Sequence, residues 1–193
     1  MSAESLWVVD TRSSEGVLPD GVFSAVFRNH PAGVAVVAAG GSSPVGFTAT
    51  SLVSVSKTPP LVSFNIARTA SSWPAVESAS HLAVHLLSHD QHELATTFAT
   101  SGIDRFAATP GWRRGPYGLP VLPGVAAWLG TEVRQLVHAG DHAVVIAEIV
   151  QVHLGGQPVV GADAVPVTEA APQAPLLYHA GRFARLAEGE RDG

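Results

Sequence analysis

Residues 44–66 read Pro44-Val45-Gly46-Phe47-Thr48-Ala49-Thr50-Ser51-Leu52-Val53-Ser54-Val55-Ser56-Lys57-Thr58-Pro59-Pro60-Leu61-Val62-Ser63-Phe64-Asn65-Ile66. Between Gly46 and Ser56 five hydroxyl side chains are interleaved with apolar ones in a segment of strand-forming composition. The two-residue period of a strand places Thr48 and Thr50 on one face. A hydroxyl-lined strand can hydrogen-bond a polar ligand. Thr is also a good strand former and Ser a turn residue, so a purely structural role stays open. The Pro59-Pro60 pair opens a further strand, Leu61 to Ile66.

Upstream, Val34 to Ala39 and Val45 to Ser51 flank the turn residues Gly40-Gly41-Ser42-Ser43 and read as a hairpin. Before them, Val22, Phe23, Val26 and Phe27 recur at helical spacing behind Asp20, an expected N-cap, and the helix stops at Asn29-His30-Pro31. It is expected to lie as a lid across one end of the fold. Downstream, a helix is expected from Ser71 or Ser72, with Pro74 in its first turn and Trp73, Val76 and Ala79 on one face. The strand His81 to Leu87 follows it. A second helix begins at Asp90, with Leu94, Thr97 and Phe98 at i, i+3, i+4 spacing. Residues Ser101 to Gly124, rich in Gly, Pro and Arg, read as a long surface excursion. Two long strands, Val125 to Val137 and Ala143 to Leu154, meet at Ala139-Gly140-Asp141, and after a Pro/Ala/Gly stretch (Gly155 to Ala174) comes a last strand, Pro175 to His179.

Many short strands, few helices and no regular strand–helix alternation argue for a mainly β fold with minor α: an antiparallel barrel with a few peripheral helices. The chain of 193 residues fits one domain. We place it at residues 20–187, after a flexible arm (1–19) and before a short tail (188–193).

Composition narrows function. With 46% hydrophobic and 14% charged residues the chain is globular. A net charge of -5 without a basic cluster gives no footprint for nucleic acid. No apolar run reaches the roughly 18 residues of a membrane span, and the amino terminus lacks the pattern of a signal peptide, so a cytoplasmic protein is expected. Zero cysteines exclude disulfides and thiolate chemistry. Redox work would then need a bound cofactor. Histidine pairs at i, i+4, His81/His85 and His138/His142, do not suit a metal: the first lies in a strand, about 13 Å apart, and the second straddles a turn. No metal site is expected.

The 44–66 run, together with Ser71-Ser72-Trp73, residues 85–99 (HLLSHDQHELATTFA), Asp104-Arg105-Phe106-Ala107, Gly140-Asp141-His142 and residues 175–183 (PLLYHAGRF), resembles in sequence order the signature of the flavin reductase-like, FMN-binding split-barrel family. The resemblance implies a split barrel and an NAD(P)H:flavin oxidoreductase, in which hydride passes from NADH or NADPH to FMN, with FAD as an alternative. It further implies a homodimer with the flavin near the subunit interface, and a flavin-dependent monooxygenase as the partner that uses the reduced flavin. In residues, it implies that Pro44, Val45, Gly46, Phe47, Thr48, Thr50 and Ser51 line the ring and ribityl chain. Asn65, Ile66 and Ala67 stand beside that chain, Phe98 adds to the site, and Ser71 and Ser72 take the phosphate, helped by the helix start that follows them. Arg68 either adds charge there or is a plain surface side chain. His142 is the catalytic candidate near the flavin or nicotinamide, with a locally satisfied turn histidine as the other reading. His179, Gly181 and Arg182 are expected at the nicotinamide, although His179 and Ala180 depart from the aromatic–Arg pair common in the family. Two other readings remain: a tight FMN-binding oxidase or reductase acting on an organic substrate, and a non-catalytic flavin-binding module.

Overall fold

The computed structural model describes residues 21–155, 157–158 and 173–186. The expected arm and tail, Asp20 and most of the Gly155 to Ala174 stretch lie outside them. Three α-helices, α1 (Val22–Arg28), α2 (Trp73–Ser78) and α3 (His92–Ala99), surround strands β1 (Ala32–Gly33), β2 (Ala35–Ala39), β3 (Val45–Ala49), β4 (Val53–Lys57), β5 (Pro60–Ala67), β6 (His81–Leu86), β7 (Arg113–Arg114), β8 (Pro120–Val121), β9 (Ala127–Ala139), β10 (His142–Leu154), β11 (Gln157–Pro158), β12 (Leu177–His179) and β13 (Arg182–Ala184). The main sheet runs β3-β2-β6-β9-β10-β5-β4, with β11 on β10, and each pair is antiparallel. β3 and β4 are consecutive in sequence yet occupy opposite edges. The barrel is therefore split at that point.

β2 explains why its sequence shows no alternation: all five residues are buried, because both faces are covered. Ala35, Val37 and Ala39 pack with Phe64, Leu82, Val84 and Val145, while Val36 and Ala38 pack with Phe98, Leu119, Leu122 and Trp128. The small side chains let two layers approach one strand.

Several expectations change. The hydroxyl-rich run is not one strand: β3 ends at Ala49 and β4 begins at Val53, because the chain leaves one edge of the sheet and crosses to the other. Gly21, at φ 83°, takes the N-cap of α1, and its side-chain-free position supplies no capping hydrogen bond. α3 starts at His92 rather than Asp90, since Asp90 accepts from the Ser88 hydroxyl at 2.6 Å and Gln91 occupies the cap. The excursion over 101–124 is no mere surface loop: Phe106, Leu119 and Leu122 are buried in the cluster around Phe98 and Trp128. The last strand starts at Leu177 and is followed by β13, which pairs back on it through a two-residue turn at Ala180-Gly181 with both φ values positive.

His85 is a buried polar group of the sheet. It is fully buried, with Nδ1 3.1 Å from the Val36 carbonyl and Nε2 3.1 Å from that of Pro120, which also accepts from Trp128 Nε1. Burial outweighs the two carbonyls and lowers its pKa from 6.5 to about 4. The folded state thus refuses a proton that the unfolded chain accepts, so this contribution is full above pH 6.5 and is lost as pH falls toward 4. Urea unfolding of the wild type should lose about 3 kcal/mol more across that window than His85→Gln does. Equal losses in the two proteins would show that His85 titrates normally.

Candidate functional site

The split in the barrel opens as a cleft of about 590 Å³, inside the range of roughly 300–1,000 Å³ of small-molecule sites. One wall is the end of β3 and the crossing that follows it: Phe47, Thr48, Ala49, Thr50 and Ser51. The second is the end of β5, Asn65 to Ala67, with His142 beside it in register opposite Ala67. The third comprises Ala70, Ser71 and Ser72 before α2, and the fourth is Phe98 and Ala99 at the end of α3 with Ser101 and Arg105 after it. Phe23 of α1 closes the set.

Side-chain hydrogen bonds hold these walls together. Ser51 Oγ accepts from the Asn65 amide at 2.8 Å, tying the crossing that follows β3 to β5 just beyond the last β4–β5 ladder pair, Val53 with Ser63. Thr48 Oγ1 donates to the Ala95 carbonyl of α3 at 2.6 Å. Ser72, buried, donates to the Gly46 carbonyl at 3.2 Å. The same carbonyl accepts from Arg105 Nη1 at 2.8 Å, while Arg105 Nε donates to Thr100 at 2.9 Å.

Of the residues expected at the flavin, the cleft thus brings together Phe47, Thr48, Thr50, Ser51, Asn65, Ile66, Ala67, Ser71, Ser72 and Phe98. Pro44 and Val45 precede it on β3, and Gly46 borders it through its carbonyl. A Cβ at Gly46 would lie 2.8 Å from Phe98 Cε1, so glycine lets β3 meet α3 closely. His142 lines the cleft, its Nδ1 2.8 Å from Asp141 Oδ1, which leaves Nε2 as the unengaged ring nitrogen of that pair. That hydrogen bond, and then the charge of the ring, hold the Asp141 carboxyl below its ordinary range. The Arg68 amide donates to the Asp141 carbonyl at 2.9 Å and fixes the hairpin tip beside β5. The Arg68 side chain is exposed and does not line the cleft.

His179, Gly181 and Arg182 are not brought into the cleft. They lie on the β12–β13 hairpin, where Gly181 borders another cavity with Phe27 and Arg28 of α1. The helix start is also changed. α2 is only six residues long and the Ser72 hydroxyl is turned to Gly46, so the local cation is Arg105. Its role was hidden in the Asp-Arg-Phe run. Asp104 Oδ1 accepts from the amides of Phe106 and Ala107 at 3.1 and 3.0 Å, a local turn that sends Arg105 to the cleft and Phe106 to the core. No group of acidic or histidine side chains that could hold a metal occurs among the described residues.

The donor set suits a planar, anion-tailed group: hydroxyls, one guanidinium and one imidazole, with no carboxylate among the described residues that line the cleft. The half-buried side chain of Phe47 provides an apolar face for a ring, while Ile66 and Phe98 are buried in the two core clusters.

Residues 27–187 match the family model of the flavin reductase like domain. The chain is 45% identical over 166 residues to an NADH:FMN oxidoreductase of Rhodococcus qingshengii, covering 86% of this chain and 81% of that one. The crystal structure of an NADH:FAD oxidoreductase of Streptomyces globisporus C-1027 with NAD and FAD fragments superposes with TM-score 0.76 at 29% identity, over 96% of this chain and 99% of that one. A nitrilotriacetate monooxygenase component B from Mycobacterium thermoresistibile gives TM-score 0.75 at 27% identity, over 89% and 88% of the two chains.

The crowding at Gly46 gives a direct test of the cleft's construction. Gly46→Ala should lower the unfolding free energy by about 1–3 kcal/mol, read by chemical denaturation, because β3 and α3 must part. An unchanged midpoint and slope would contradict the close approach.

Proposed function

Because the chain belongs to the flavin reductase like family, we propose that it is an NAD(P)H:flavin oxidoreductase whose cleft at the barrel split holds FMN, or FAD, while a reduced nicotinamide is oxidised. The observation that carries this reading is the cleft itself: it joins the hydroxyl-rich end of β3 to β5 with Arg105 at one side and His142 at the other. When bound, the flavin supplies the acceptor for the two electrons and the hydrogen that leave the nicotinamide.

The chain's part is binding and orientation. Arg105, anchored by two carbonyls, presents a charge to the phosphate together with Ser71. The amides of Thr50 and Ser51 lie past the last β2–β3 ladder pair and can donate to the ring edge that gains negative charge on reduction. Phe47 excludes water from the ring's apolar side. His142, held through Nδ1 by Asp141, lines the cleft and would stand beside the bound ring. His179, Gly181 and Arg182 are proposed to contact the dinucleotide from the β12–β13 hairpin, where Gly181 borders the neighbouring cavity.

A homodimer belongs to the same reading. Val53 and Val55 on edge strand β4, and Phe23, Val26 and Phe27 on α1, are exposed apolar side chains of the kind a subunit partner covers. Supply of reduced flavin to a partner monooxygenase is supported by the likeness to a monooxygenase component. NADH is favoured as donor by the relatives that use it, and a cysteine-free chain suits the cytoplasm.

Two measurements test the reading. Purified protein mixed with NADH and FMN should bleach the nicotinamide band and release free reduced flavin. No oxidation would favour a non-catalytic flavin carrier, and turnover confined to bound flavin with a second, organic substrate would favour an oxidase. Arg105→Gln should weaken FMN by about 10–100-fold while leaving riboflavin, which lacks the phosphate, nearly unchanged. Equal losses for both ligands would remove Arg105 from the phosphate.

A further inference from the structure

A second cavity, of about 310 Å³, lies away from the flavin cleft and shares no lining residue with it. His142 and His153 stand eleven positions apart on β10, on the order of 35 Å along an extended strand. His142 lines the cleft and His153 the second cavity.

Its walls are specific. The buried side chains of Leu122, Val125 and Trp128 give it an apolar interior. The indole nitrogen of Trp128 donates to the Pro120 carbonyl at 3.1 Å, so the polar edge of that ring is already used. His153, opposite Trp128 in register, meets it edge-on at 5.1 Å. Arg113, paired with Val121 in the β7–β8 ladder, adds an exposed guanidinium. Arg113 and His153 line the same space, and burial, then the charge of Arg113, lower the His153 pKa. No carboxylate occurs among the described residues that line this space.

We propose that this cavity binds a small aromatic carboxylate of a single ring, its carboxylate on Arg113 and its ring against Trp128. The planar fork of a guanidinium matches the two oxygens of a carboxylate. An indole and branched aliphatic walls suit an apolar ring. The volume stands at the low end of small-molecule pockets, near 300 Å³, which leaves no room for a dinucleotide. The assignment is independent of the reading of the flavin cleft.

The test is calorimetric titration of the full-length protein with sodium benzoate, with and without saturating FMN, and with benzamide as a neutral isostere. Benzoate should bind saturably with Kd at or below about 1 mM. Its affinity should not depend on FMN, and benzamide should bind about tenfold more weakly. Arg113→Gln should weaken benzoate by a similar factor. Absence of saturable benzoate binding, equal affinity for benzamide, or loss of binding when FMN is added would each overturn the proposal. The benzoate-to-benzamide ratio is read on the wild type, so the answer does not hang on how the variant folds.

Discussion

A curled sheet whose two edges meet without a ladder has to satisfy those edges in some other way. Here the edges are β3 and β4, neighbours in the chain but the outermost strands of the sheet. Their backbone groups cannot simply be left bare in a cleft, because buried unpaired donors and acceptors are costly. The Ser51 hydroxyl, on the crossing between them, takes the Asn65 amide of β5 just past the end of the β4–β5 ladder. What stays open is the space between the end of β3, the end of β5 and the segments around α2 and α3. The cleft is thus the unclosed part of a barrel, and its polar lining is the polarity of strand ends that have no partner strand.

The same seam explains why its hydroxyls divide their labour. Thr48 fastens β3 to α3, Ser72 fastens the start of α2 to Gly46, and Ser51 fastens the crossing after β3 to β5. Each such bond is worth about 1 kcal/mol net and fixes the walls rather than reaching outward. Thr50 and Ser71, both exposed, make no such fastening, and Arg105 reaches the Gly46 carbonyl from across the cleft. A short helix has a weak dipole, so a six-residue α2 benefits from a guanidinium next to it where an anion is to be held. Three consecutive residues, Asp104, Arg105 and Phe106, supply the turn, the charge and the core contact that secure it.

The strands of the barrel were legible in the chain because they depend on short-range rules, whereas most residues of the cleft walls were expected only through the family resemblance. Gly40 to Ser43 mark a hairpin, Gly140 marks another, and the valine-rich runs mark strands that appear within a few residues of where they were expected. The cleft's hydroxyls were legible as a pattern, but the direction of each was not, since a strand face does not reveal whether Thr48 meets a ligand or a helix carbonyl. Arg105 was hidden because it is 59 positions from Gly46, and nothing local in Asp-Arg-Phe distinguishes a cleft arginine from a solvated one. The burial of Phe106, Leu119 and Leu122 was obscured by the glycines and prolines around them, which signal turns but say nothing of what those turns lie against. β13 was lost because Ala180 adopts φ 52° in its turn, a conformation that alanine does not advertise.

The C-terminal hairpin and the flavin cleft are separate cavities, and α1 is the element that borders both. Phe23 lines the cleft, Phe27 and Arg28 line the space beside Gly181, and the Phe23 and Phe27 rings are 4.6 Å apart. The hairpin is tied to the helix rather than to the cleft, through the Ala180 amide on the Arg28 carbonyl at 2.9 Å. A ligand that occupied both cavities would lie against α1, which borders each of them. Because α1 has no buried residue, its position rests on few contacts of its own, and a molecule lying over those rings would add the apolar surface that the helix lacks. The separation of the two residue sets follows from that helix, and so does the means of spanning them.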